Sequence, residues 1–376
     1  MMSGPMPVRS QLLPVIIALS AAWAPSGVQA QTAASPPELT RPPTIYHPGG
    51  DGLWLLTHEN DWFFGTDRNY TGSVRLVHTT PNFEDWSRIP VVPSFLSAAF
   101  DEASLLDDSS STVAAAYSAQ INIYTPNNVT LVPPNPNDRP YAGWIGVGMD
   151  MIRLSATRRA LFETNIGWVG PQSGAEALQK GFHQVSGSGY PAGWDAQIKN
   201  EPVLQLTYRQ DWRPLFLTSA NYATHEPGYD VIGHGLVTVG NGWDYAATGL
   251  LLRVGYHLPA DFGPARARLG EVETMPYEST GTTRVPLTFT ADTLAAYICF
   301  GIEGRAVARD ISLEGNTFAS SPGVHEEPLV HEYYGGIVLN YGPIRTSFLA
   351  TCESRTFYSE EPSGQWRGVI TFGCTF

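Results

Sequence analysis

From residue 52 onward the chain alternates apolar and polar positions one by one, in short stretches broken by glycine, proline, asparagine and serine clusters. That period is the signature of half-buried β-strands. Such stretches run over 52–59, 72–80, 113–125, 142–156, 159–170, 202–213, 249–258, 292–309, 330–342, 343–358 and 365–376. The last is the most regular. Counting back by twos gives Phe376, Cys374, Phe372, Ile370, Gly368 and Trp366 on one face. Thr375, Gly373, Thr371, Val369 and Arg367 occupy the other. One face is apolar with aromatics near its ends, and the other is mostly polar or small. The stretch has the length of a membrane-spanning strand, about 9 to 11 residues. A soluble edge strand would carry charges or proline instead. The terminal Phe376 resembles the C-terminal signal of outer-membrane barrels.

The expected fold is therefore all-β, a twelve-stranded antiparallel transmembrane β-barrel, since bacterial single-chain barrels have even strand numbers. Long loops are expected at 81–112, 126–141, 171–201, 259–290 and 314–329. One of them breaks the period. In "SGAEALQKGFHQVSG" (173–187), Ala175, Leu178 and Phe182 recur at helical spacing. This predicts a short helix in an outer loop, lying against the rim or the lipid surface. Gln179 and His183 are four apart and share a face of it. Gly187 and Gly189 are its stop signals.

The N-terminal part follows other rules. Residues 1–30 carry Arg9, an apolar run and "VQA" ending at Ala30, the pattern of a secretory signal peptide. The mature chain is expected to begin at Gln31 with a Pro-rich leader over 31–50, followed by one barrel domain over 51–376. No later stretch reaches the roughly 18 to 20 consecutive apolar residues of a spanning helix. Charged residues are 15% of the chain, against roughly 25% in soluble domains. That low charge favours a lipid-facing barrel over an exported soluble domain. The net charge of −13 makes nucleic acid a poor partner. It leaves anionic lipid open, because local charge and bound metal override net charge. Cys299, Cys352 and Cys374 are too few and too late for a disulfide framework. Cys352 and Cys374 could pair between neighbouring strands, but small apolar side chains are the better reading.

Several catalytic patterns are missing. There is no G-x-S-x-G nucleophile elbow. "HEEPLVHE" (325–332) lacks the H-E-x-x-H spacing, and Pro328 breaks the helix such ligands need. What stands out is "HENDWFFGTDRNYTGSVRL" (58–76), which places Glu59, Asn60 and Asp61 at a strand end. Carboxylate, amide and hydroxyl oxygens are hard ligands that suit Ca²⁺. The plainer reading is a strand ending in a solvated turn. For Gln179 and His183 the plainer reading is a solvated helix face.

Four ordered motifs change that balance. "ENDWFFGTDRNYTGSVRL", "NDRPYAGW", "GWVGPQSGAEALQKGFHQVSG" and "PAGWDAQIKNEP" resemble, in order and spacing, the outer-membrane lipid A 3'-O-deacylase family. The resemblance runs on through "LEGNTFASS" (313–321) to the final strand, so it spans the mature chain. It implies an enzyme of the bacterial outer membrane, a carboxylic ester hydrolase using Ca²⁺ to cleave an acyl ester of lipid A. The site would lie between the barrel wall and a helix in an outer loop. Matched motif by motif, its residues are Asn60, Asp61, Thr71, Gln179 and His183, with Asn60 and Asp61 on the metal.

Family members can carry a carboxylate about six residues after the His. Here Ser186 to Pro191 contain no acid, so that Asp195 or Glu176 would substitute for it or the acid is dispensable. The implied chemistry is direct attack by water, with His183 as general base. Ca²⁺ near Asp61 would polarise the ester, Asn60 or Thr71 would position or donate, and Gln179 would orient. Lipopolysaccharide is the expected partner, in a monomeric barrel surrounded by outer-membrane lipid. The rivals are a porin or structural barrel without activity, and a phospholipase acting on glycerophospholipid esters.

Overall fold

The computed structural model describes residues 52–66, 68–89, 91–104, 111–222, 224–276, 294–361 and 364–375. The expected signal peptide (1–30) and leader (31–50) lie outside the described residues. Twelve antiparallel strands close into a barrel in which each strand pairs with its sequence neighbours. They are β1 (Leu53–Asn60), β2 (Asn69–Thr79), β3 (Thr112–Thr125), β4 (Ala142–Leu154), β5 (Arg158–Val169) and β6 (Glu201–Trp212). Then come β7 (Pro227–Gly240), β8 (Trp243–Tyr256), β9 (Leu294–Asp310), β10 (Leu329–Tyr341), β11 (Ile344–Glu353) and β12 (Gln365–Thr375). β12 closes the wall on β1, from Leu53 opposite Thr375 to Asn60 opposite Gly368. Closure leaves no open sheet edge, which a bilayer would not tolerate.

The period-two faces fall as the sequence predicts. In β12, Arg367, Val369 and Thr371 are buried in the lumen, whereas Trp366, Ile370 and Phe372 face outward. Comparable outward residues are Leu76, Ile166, Leu250 and Phe300. This is the apolar-out, polar-in pattern of a lipid-facing barrel. β7 is the strand that the sequence required by parity without locating it. Asp230, Ile232, His234, Leu236 and Thr238 point inward, but Gly233 and Gly235 thin the outer face. The inner face mixes polar and apolar residues while the outer face loses side chains at two positions, which blurs the period. Cys352 lies opposite Trp366 and Cys374 opposite Ile344, and all three cysteines are free thiols.

Three α-helices are present among the described residues: α1 (Ser94–Ala103), α2 (Ala175–Ser186) and α3 (Ile311–Glu314). α1 falls in the loop expected at 81–112 and sets Phe100 among Val113, Ala115 and Met151.

The loop expected at 259–290 behaves differently. Its described part, through Pro276, folds into the lumen as a plug. Leu258, Phe262, Val272 and Met275 join an apolar core with Leu53, Ile152 and Leu349, at the barrel end where β1 begins and β12 finishes. Higher up, wall side chains grip the plug backbone. Arg75 Nη1 donates to the carbonyls of Arg268 (2.5 Å) and Glu271 (2.7 Å). Arg159 Nη1 donates to Val272 O at 2.8 Å and Gln120 Nε2 to Ala267 O at 2.9 Å. Arg266 of the plug ion-pairs with Glu332 and with Glu303 (3.0 Å). Arg367, fully buried, meets Glu59 (2.8 Å), Glu332 (2.8 Å) and Glu353 (2.6 Å).

Removing one partner of such a buried pair costs about 3–5 kcal/mol, so the lattice resists piecemeal opening. The barrel is thus expected to show no steady ion conductance in planar bilayers. A stable open channel there would contradict the plug and favour the porin reading.

Candidate active site

The candidate site lies at the other end of the barrel, where β1 ends and β2 begins, and each piece has a local cause. Asn60 ends β1 in extended backbone (φ −156°) and its Oδ1 accepts from Trp62 N at 2.7 Å. It thereby caps a 3₁₀ turn over Asp61–Phe64, which Gly65 closes at φ +74°. Asp61 is fully buried, and the hairpin wraps around its carboxylate. Oδ2 accepts from Thr66 Oγ1 at 3.0 Å and from Arg68 N at 2.7 Å.

Thr71 sits where the β2–β3 register slips between Tyr70 and Gly72. It is the extra residue of a β-bulge, a device that re-aims side chains beside functional sites. Tyr70 opposite Tyr124 lines the lumen, so Thr71 turns to the outer face with Thr125. Their hydroxyls meet at 2.5 Å and both are buried. Gly72 follows because a Cβ there would lie 3.0 Å from Asn60 Nδ2. The outer wall at this point is therefore polar and yet covered.

The cover is α2. Gly174 before it and Gly187 after it both take φ +74°, and Gly187 N donates back to His183 O at 2.9 Å. The orientation of the helix reverses its solution amphipathicity. Ala175, Gln179 and His183 form the buried face, while Leu178, Phe182 and Val185 are exposed. A solvated face for Gln179 and His183 is thereby ruled out. Beneath the helix start is Gly143 of β4, where a Cβ would collide with Ser173 Oγ and Ala175 Cβ. At its far end Phe182 packs edge-on against Trp62, ring centroids 6.3 Å apart. Trp62 follows Asp61 and Phe182 precedes His183, so this contact ties the two halves of the site together.

Two further partners orient the helix side chains. His183 Nδ1 is hydrogen-bonded to the carbonyl of Gly189. A carbonyl only accepts, so Nδ1 carries the proton and the lone pair sits on Nε2. Gln179 Oε1 accepts from Trp194 Nε1 at 2.8 Å, which fixes the orientation of its amide. Trp194 is fully buried against Tyr141, whose hydroxyl donates to Val129 O at 2.7 Å. The motifs "NDRPYAGW" and "PAGWDAQIKNEP" supply this bracing. Neither substitute acid takes the place expected of it. Glu176 pairs with Lys180 (2.6 Å) and Asp195 is exposed. The group six residues after His183 is the backbone carbonyl of Gly189, which no side-chain motif singles out. Thr125, Trp194 and Gly143 were missed as well; the small and aromatic residues of the quoted motifs were the available signal.

A cation would meet an all-oxygen set here: Asp61, Asn60, Asn69 and the Thr71–Thr125 pair. Asn69 stands opposite Thr125, and its buried Oδ1 has no hydrogen-bond partner among the described residues. Hard oxygen donors of this kind fit Ca²⁺. No group of three or more His, Cys, Asp or Glu able to hold a metal occurs among the described residues. Amide, hydroxyl and carbonyl oxygens would therefore share the load with Asp61.

The family model for outer membrane protein LpxR matches residues 13–376. The chain belongs to the LpxR family. It is an outer-membrane protein, consistent with its closed barrel and apolar outer face. Among solved structures, LpxR from Salmonella typhimurium is similar at 17% identity and TM-score 0.64, covering 86% of this chain and 99% of that one. That similarity shows the shared barrel fold. The β-domain of the Bordetella autotransporter BrkA aligns at 7% identity and TM-score 0.38, over 86% of this chain and 98% of that one. No match was found among curated proteins.

In this LpxR-family barrel the helix rests on its β4 glycine, which makes a prediction. Gly143→Val should push α2 and His183 off the wall while leaving the strands paired. A misplacement of about 1 Å can cost about 10²-fold in rate. Acyl-ester cleavage is expected to fall by about that factor, with the heat-modified gel mobility of the folded barrel retained. Full activity in that variant would show that the helix position is not critical.

Proposed function

We propose that this protein hydrolyses an acyl ester of lipid A, removing the 3'-O-linked chain in the outer membrane. The carrying observation is the buried Gln179–His183 face of α2, held over a wall that presents Asn60, Asp61 and Thr71. A helix lying between a polar wall and lipid has no structural need to bury His and Gln. An active site does.

In the proposed reaction His183 Nε2 takes a proton from water, and the water oxygen bonds to the acyl carbon. The resulting oxyanion accepts hydrogen bonds from the Gln179 amide and from Asn60 or Thr71. When the tetrahedral centre collapses, the bond to the sugar oxygen breaks and His183 returns the proton to it. The products are a free fatty acid and a sugar hydroxyl. No serine nucleophile is involved, in keeping with the missing elbow. Ca²⁺ held by Asp61 and Asn60, with Asn69 and the threonine hydroxyls at hand, would supply positive charge to the ester carbonyl. The exposed Trp62, Phe64, Leu178, Phe182 and Trp366 give acyl chains an apolar surface at the membrane side.

The test is incubation of the purified barrel with lipid A and Ca²⁺, and separately with a glycerophospholipid, followed by mass spectrometry. Fatty-acid release from lipid A alone is the expected result. Equal or faster release from the glycerophospholipid would make the protein a phospholipase. No release from either would leave a non-enzymatic barrel.

A further inference from the structure

A cavity of about 120 Å³ opens between the plug and the site end of the barrel, on the inner side of the wall that carries Thr71 and Thr125. Four arginines from three parts of the chain line it: Arg139 before β4, Arg268 of the plug, and Arg305 and Arg309 of β9. Its two lining carboxylates are already engaged. Asp310 Oδ1 accepts from Ser312 N (2.8 Å), Ser312 Oγ (2.6 Å) and Trp243 Nε1 (3.0 Å). Glu353 pairs with Arg367 (2.6 Å), with Arg305 and with Arg268 (3.5 Å).

Two of the guanidiniums are not saturated: Arg139 Nε and Arg309 Nε are buried with no hydrogen-bond partner among the described residues, whereas Arg268 Nη1 and Arg305 Nε face Glu303 at 3.8 and 3.7 Å. Arg139 is only 3% exposed, and burial pushes its guanidinium below its ordinary value. Buried donors without acceptors are rare and call for a missing partner. The rings of Tyr124, Trp243 and Tyr245 complete the lining. Planar donors converging on a cavity match the oxygens of a phosphate, and aromatic rings offer flat faces to a pyranose.

We propose that this luminal cavity binds a phosphate group, free or carried on a sugar. The site is separate from the ester-cleaving face and does not depend on it. Arg139 and Arg268 belong to different segments, so an anion between them would also tie the plug to the loop before β4.

The test is titration calorimetry of the full-length barrel in detergent at fixed ionic strength, with inorganic phosphate and with glucosamine 6-phosphate as probes. Saturable binding of one equivalent is expected. Arg139→Gln and Arg309→Gln should each weaken it by at least about tenfold, with heat-modified mobility confirming a folded barrel. Binding in the His183→Ala variant should be unchanged, so a failed deacylation assay leaves this result independent. Equal affinity for both probes identifies free phosphate as sufficient, and binding of the sugar phosphate alone identifies a phosphorylated saccharide. No binding of either probe, or binding unaltered in both folded arginine variants, overturns the proposal.

Discussion

Replacing His183 with alanine should reduce fatty-acid release by about 10²- to 10⁴-fold, the range a positioned general base contributes. The same variant should fold. His183 lies on a helix outside the strand ladder, and its Nδ1 bonds to the carbonyl of Gly189 in the adjoining turn. Its removal touches no register pair of the barrel. Loss of activity with retained heat-modified mobility would therefore locate the defect in chemistry. Wild-type deacylation by the variant would exclude His183 as the base. The carbonyl anchor sharpens this expectation. It fixes the tautomer and ring orientation as a carboxylate would, without adding a negative charge beside the imidazole. Asp195→Asn and Glu176→Gln should accordingly leave turnover within about twofold of wild type, as surface changes away from the reacting atoms do.

The second large effect is expected at Asp61. Its carboxylate is fully buried at the heart of the hairpin and accepts from Thr66 and from the Arg68 backbone. Asp61→Asn keeps the shape and removes the charge. If that charge holds Ca²⁺, release should fall by about 10²- to 10³-fold, as for loss of an oxyanion-stabilising group. Excess EDTA should lower the wild type by a similar factor and leave the variant where it is. A readout independent of turnover is available. A ligand at a hundred times its Kd stabilises the folded state by about 2.7 kcal/mol, so Ca²⁺ should raise the wild-type melting midpoint and not that of the variant. Unchanged wild-type activity in EDTA, with no Ca²⁺-linked midpoint shift, would remove the metal from the scheme.

The strands were legible because a bilayer enforces period two from outside as strictly as a polar lumen does from inside. β12 shows this from Trp366 to Thr375. β7 was not legible because Gly233 and Gly235 replace apolar residues on its outer face while Ile232 and Leu236 point inward. The plug has no period at all. Arg266 and Arg268 find their partners Glu303 and Glu332 on β9 and β10, and Glu271 pairs with Arg266 and faces Arg209 of β6, none of which a local pattern shows.

For the site, the candidate residues were named by motif, and the structure shows how they are carried. Asn60 caps a turn, Asp61 sits inside it, and a bulge turns Thr71 outward. The helix is the instructive case. Its spacing showed that Gln179 and His183 share a face, but not which way that face points. Beside lipid the usual rule inverts, so the apolar Leu178, Phe182 and Val185 look out and the polar pair looks in. The Gly189 carbonyl escaped notice because every residue has one; only folding gives it meaning.

The central claim is that water, activated at His183, cleaves an acyl ester of lipid A. The most direct measurement is mass spectrometry of the products formed from lipid A in isotopically heavy water, with and without the His183→Ala change. The account predicts one heavy oxygen in the released fatty acid, none in the sugar hydroxyl, and no such product from the variant. Failure of the wild-type barrel to release fatty acid, or heavy oxygen appearing in the sugar, would contradict it.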